Sequence, residues 1–120
     1  MKKINTIKKY REFKEIIELR KFYRNELFCI YFRKNECKKT RIGILVSKKN
    51  GNAVTRNKIK RQVRSIIDSF INYQDDLDLI IVITKKYSTD EFDRNKELLT
   101  KLISLTLGDK KWKRKQIKNS

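Results

Sequence analysis

"RIGILVSKKNGNAVTRNKIKRQVR", Arg41 to Arg64, reads as a strand that ends and a helix that begins. Over 41–49 Ile42, Ile44 and Val46 alternate onto one face, while Gly43 on the other face marks a close approach by a neighbouring group. Gly51-Asn52 breaks the strand, with Asn52 as the expected N-cap of a helix running to about Tyr73. At about 100° per residue, Ile59, Val63, Ile66 and Phe70 share a narrow sector, with Ile67 at its edge. Asn57, Lys60, Arg61 and Arg64 fall together on a flanking stripe, and Arg56 lies near its start. The apolar residues fix the rotation of the helix, so the cations stand as a rigid row. No acid occurs between Arg41 and Asp68, whereas a solvated helix face normally intersperses both signs. That pattern points to a polyanion site. Lys48, Lys49 and the amides around Asn52, at the helix N-terminus, extend it toward a phosphate.

Working toward the N-terminus, "ELFCIYFRK" (26–34) is a strand with Phe28, Ile30 and Phe32 on one face and Leu27, Cys29 and Tyr31 on the other. The polar turn 35–39 makes it the expected hairpin partner of 41–49. Before it, Ile7, Tyr10, Phe13, Ile16 and Ile17 recur at helical spacing over 6–21, with Asn5 or Thr6 as cap and room for a short strand around 20–24. Toward the C-terminus, "DLDLIIVIT" (76–84) is apolar on both faces. Ser88-x-x-Glu91 has the pattern of a capping box for a last helix with Phe92, Leu98, Leu99, Leu102, Ile103 and Leu105 inward and a stop at Gly108. The expected organisation is a flexible basic arm (1–5), one α+β domain (6–107) with helices packed on a small sheet, and a disordered basic tail (108–120).

Composition restricts the chemistry. A chain of 120 residues suits one domain. There are 32 Lys and Arg against 14 Asp and Glu, a net charge of +18, which favours nucleic acid or an anionic surface. Histidine, the commonest general base, is absent, and Cys29 and Cys37 lack the spacing and companions of a zinc site. No signal peptide or membrane span is visible, so a reduced, cytoplasmic protein is expected. Asp75, Asp76 and Asp78 cluster ahead of a strand and could in principle bind Mg²⁺, but such a cluster is more often a solvated turn. Among nucleic acids, a basic helix packed on a sheet with an aromatic strand fits RNA better than the helical and zinc-bound DNA readers. Tyr31 and its neighbours offer faces on which unpaired bases stack.

The same stretch resembles the signature of the bacterial ribonuclease P protein subunit. The pattern R-x-G-x-x-V-S-K-K followed by G-N-A-V-x-R-N-x-x-K-R-x-x-R is matched at every fixed position from Arg41 to Arg64, and the order of the remaining segments agrees over roughly residues 5–107. The resemblance implies an αβββαβα fold with a small mixed sheet and a left-handed βαβ crossover, against the right-handed physical default. It implies a subunit of an endoribonuclease that removes the 5′ leader of precursor tRNA. Catalysis then belongs to a large RNA with bound Mg²⁺, the protein alone is inactive, and one protein serves each RNA. By motif position, Lys48, Lys49, Asn52, Arg56, Asn57, Lys60, Arg61 and Arg64 are implied to contact RNA. Phe13, Ile17 and Tyr31, with Lys8 and Lys9 one turn ahead of Phe13, are implied to form the leader cleft. Two positions depart from relatives: Ile17 is often Phe, and Ser65 often Glu.

Two other readings compete. A ribosomal or other structural RNA-binding protein would share the charge and size but not the whole signature. An autonomous nuclease would need carboxylates beside the basic stripe, where the sequence has none.

Overall fold

The computed structural model describes the backbone of residues 1–119 and the side chains of residues 1–108. Its elements are α1 (Tyr10–Glu18), β1 (Phe22–Arg24), β2 (Phe28–Lys34), β3 (Arg41–Val46), α2 (Ala53–Phe70), β4 (Leu77–Ile83) and α3 (Phe92–Asn119), in the order αβββαβα. The four strands lie in the order β1-β2-β4-β3. β2 is antiparallel to both β1 and β4, while β3 runs parallel to β4, so α2 is the crossover between parallel neighbours.

This corrects the expected β2–β3 hairpin: β4 sits between them. Every residue of β4 except Val82 is buried, and such a strand belongs at the centre of a sheet. The turn after β2 also bonds to the entrance of β4 instead of closing on itself. Asn35 N–H donates to the Asp76 carbonyl (2.9 Å) and the Thr40 hydroxyl to the Asp75 carbonyl (2.8 Å).

On one face of the sheet, Phe28, Ile30, Ile42, Leu79, Ile81 and Ile83 meet Ile59, Val63, Ile66 and Ile67 of α2 and Leu99, Leu102 and Ile103 of α3. Ile67 is fully buried and Phe70 is 43% exposed, the reverse of the expected edge and centre. α2 ends at Phe70, and Ile71 takes the core position beyond it. Leu27, expected on the Tyr31 side, precedes β2 and joins this core. The other face is covered by α1, with Ile7, Ile16 and Ile80 at the centre of a smaller apolar cluster.

The termini also differ from expectation. Residues 1–5 are not a free arm: Lys3–Asn5 form a 3-10 turn, buried Asn5 donates to the Thr40 carbonyl (2.8 Å), and the Met1 ammonium pairs with Asp68 (2.9 Å). Thr6 bridges to Ile42, which pulls residues 6–7 onto the edge of β3 and delays α1 to Tyr10. Lys9, not Asn5 or Thr6, stands at its N-cap, and Tyr10 is 80% exposed. Ser88 Oγ accepts from Asp90 N–H (3.3 Å) in a turn, so α3 starts at Phe92, and Phe92 and Leu105 lie toward solvent. α3 passes through Gly108, where a stop was expected; the side chains of the basic tail otherwise lie outside the described residues. Among the described residues no helix is long and apolar enough to cross a membrane.

Candidate nucleic-acid interface

The entry to α2 is held at each step by its own side chains. Ser47 Oγ accepts from Lys49 N–H (3.3 Å), which sets the 3-10 turn Lys48–Asn50. Asn50 donates to the Thr84 carbonyl (2.8 Å) and ties that turn to the end of β4. Gly51 has φ +126°, a conformation that side chains resist. Asn52 Oδ1 then accepts from Thr55 N–H (2.9 Å), the N-cap expected from the sequence. The helix and its cations are therefore delivered in one fixed orientation.

Asn57, Lys60, Arg61 and Arg64 do stand together. With the exposed Val54 they line an open concavity of about 530 Å³ on the outer side of α2. Lys48, Lys49 and Asn52 are exposed just before it. None of Lys48, Lys49, Lys60, Arg61 and Arg64 forms a salt bridge among the described residues. Arg56 stands apart from the row. It is partly buried, and its Nε is enclosed with no hydrogen-bond partner.

A second surface lies on the opposite face of the sheet, beside α1. Strand register builds it in rows: Phe22, Tyr31, Ile80 and Gly43 are successive cross-strand neighbours, followed by Arg24, Cys29, Val82 and Leu45. Phe13 of α1 rests on Gly43, and Ile17 and Tyr31 flank the buried Ile16 and Ile80. The Tyr31 ring packs against Phe22 with centroids 5.3 Å apart. Phe13, Ile17, Tyr31, Cys29 and Val82 are all half-buried, and Leu45 and Phe22 are more open, so an apolar, partly aromatic floor remains accessible next to α1. Burial, then the neighbouring Cys29, pushes the Tyr31 hydroxyl above its ordinary pKa. Lys8 and Lys9 are exposed where the chain enters α1. The sequence reading found Phe13, Ile17 and Tyr31 but missed Phe22, Val82 and Leu45, which reach this surface only through the register of β1, β3 and β4.

Asp78, one of the three candidate cation ligands, has a different occupation. It is fully buried and accepts from Arg41 Nε (2.9 Å) and Nη2 (2.8 Å), Arg33 Nε (3.0 Å) and Asn35 Nδ2 (2.8 Å). Burial alone pushes its carboxyl up, but the hydrogen bonds from Arg41, Asn35 and Arg33 outweigh it and hold the pKa below the ordinary value. Arg41 also donates to Glu12 (2.7 Å) and Arg33 to Glu15 (3.3 Å) on α1. Asp75 and Asp76 are half-buried at the entrance of β4.

A family model described as Ribonuclease P matches residues 1–106. The ribonuclease P protein component of Mesoplasma florum is 45% identical over 105 residues, covering 86% of this chain and 96% of that protein. The corresponding protein of Mycoplasma capricolum subsp. capricolum is 42% identical with the same coverage. Among solved structures, the RNase P protein of Staphylococcus aureus aligns with a TM-score of 0.74 at 31% identity, covering 85% of this chain and 94% of that one. The RNase P protein from Thermotoga maritima aligns with a TM-score of 0.70 at 33% identity, covering 81% and 93%.

Proposed function

This chain belongs to the ribonuclease P family, and from that premise we propose that it binds two RNAs on two faces. The row Asn57, Lys60, Arg61 and Arg64 on α2 binds the catalytic RNA subunit, with Lys48, Lys49 and Asn52 at the entry of the helix and Arg56 behind it. The floor beside α1, with Phe13, Ile17 and Tyr31, holds the unpaired 5′ leader of precursor tRNA. The observation that carries this reading is the separation of a cation row that makes no salt bridge among the described residues from an accessible aromatic floor, the two lying on opposite faces of one sheet.

The chemistry follows from what each surface offers. Cations on a rigid helix bind phosphates irrespective of sequence and release counterions. Aromatic faces stack on bases of any identity at about 1–3 kcal/mol each, the tolerance required by an enzyme that accepts many leaders. Lys8 and Lys9 follow the leader backbone. Hydrolysis itself falls to the RNA subunit, which holds the Mg²⁺; the protein contributes affinity and placement. One protein serves each RNA, in the cytoplasm. A ribosomal role explains the charge but not the membership of this family.

Reconstitution tests the assignment. The protein alone should not cleave precursor tRNA. Added to ribonuclease P RNA, it should lower the KM for precursor and leave the affinity for mature tRNA nearly unchanged. Cleavage by the protein alone, or equal effects on both tRNAs, refutes it.

A further inference from the structure

α1 crosses the sheet. Glu12 reaches Arg41 on β3, and Glu15, one turn later, reaches Arg33 on β2. Both arginines also converge on the Asp78 carboxylate, which lies on the strand between them. Three carboxylates enclose two guanidinium groups, so this cluster is net negative within a chain of net charge +18. Arg33 and Arg41 are thereby withdrawn from any RNA surface.

The cluster occupies one flank of α1, and Phe13 and Ile17 occupy the other. α1 has nine residues, one fully buried side chain (Ile16) and no side-chain cap, so apolar packing alone leaves its sideways position and rotation weakly fixed. The bidentate pair Arg41–Asp78 fixes the Arg41 guanidinium within the sheet, and its Nη2 then meets Glu12 at 2.7 Å, a short charge-assisted contact that supplies what is missing. We propose that Asp78 is a positioning residue: through Arg33 and Arg41 it holds α1 at a set distance from Tyr31, and so fixes the gap that receives the leader. This rests on the leader-groove reading given above.

The test uses the protein assembled with ribonuclease P RNA. The double variant Glu12→Ala/Glu15→Ala frees α1 from the arginines while leaving Asp78 paired, so the fold stands. Asp78→Asn is the stronger companion, and melting curves establish that each variant folds. For the double variant, affinity for precursor tRNA should fall by about tenfold, within the worth of one stacked base. Affinity for mature tRNA should hold, with KM for precursor raised and kcat at saturating precursor unchanged. Tyr31→Ala is measured in parallel. If Tyr31→Ala loses precursor selectively and the double variant loses nothing, or loses both tRNAs equally, the positioning role is overturned and the groove stands. If neither variant is selective for precursor, the groove reading fails and the positioning role fails with it.

Discussion

Phe13 occupies the space that a side chain on Gly43 would need: a Cβ there would lie 2.6 Å from the ring Cζ and 2.9 Å from Ile80 Cδ1. The glycine of the R-x-G motif is therefore a seat for an aromatic ring from α1, and Arg41, two residues earlier on the same strand face, is the anchor that holds α1 over it.

Gly43→Ala should consequently lift α1. Overpacking of this kind costs roughly 1–3 kcal/mol. The expected result is a lower melting temperature and weaker binding of precursor tRNA, with affinity for the RNA subunit kept. An unchanged melting curve would show that Phe13 moves aside freely.

Arg61→Ala with Arg64→Ala should weaken RNA-subunit binding and flatten its salt dependence, by about one unit of log–log slope per lost phosphate contact. Both side chains are exposed and make no salt bridge among the described residues, so thermal stability should hardly change. A salt titration of the affinity decides it; an unaltered slope means the row faces solvent.

Tyr31→Ala should weaken binding of precursor tRNA by about 1–3 kcal/mol for a single stacked base, and binding of mature tRNA hardly at all. Phe13→Ala should do the same and also lower the melting temperature, because Phe13 is packed against the sheet. Paired measurements on the two tRNAs, with melting curves, separate the effects.

Acid should unlock α1. The Asp78 carboxyl titrates lower in the folded protein than its ordinary 3.8. The unfolded chain therefore takes up a proton first as pH falls. The stability contributed by Asp78 is complete above the ordinary value and is lost as pH drops below it toward the folded pKa. Melting temperature should fall steeply below about pH 4. The decline should be shallower in Asp78→Asn, provided that variant folds; an identical slope would place the acid sensitivity elsewhere.

The parts legible in the sequence are those in which neighbours in space are neighbours in the chain. Asn52 as a cap and the row from Asn57 to Arg64 depend only on helical geometry, and both are found as read. Ile67 is buried and Phe70 exposed, the reverse of what the wheel implies, because a wheel gives the angle but not where the helix ends. A β2–β3 hairpin is suggested because a short polar turn resembles a closure, and only the buried character of β4 on both faces argues for a strand between them. The lock around Asp78 was invisible: Glu12, Arg33, Arg41 and Asp78 are scattered across the chain and meet only once register is set. The lysines of the N-terminal segment suggest a free arm, while Asn5 and Ile7 are the residues that dock it.

The place of β4 also governs when the protein can exist. β2 and β3 have no contact in the sheet without it, and it is the last strand to be synthesised. A nascent chain that ends before Leu77 holds strands with open edges and a basic helix with no sheet to lie on. Sheet formation must then join β4 to both β2 and β3 across long separations in the chain, the slow, non-local kind of pairing. Until that moment the row of cations is present in the chain but has no fixed orientation. Specific recognition of the RNA is thus a property acquired late in translation, once β4 and the α3 residues that pack against α2 have been made.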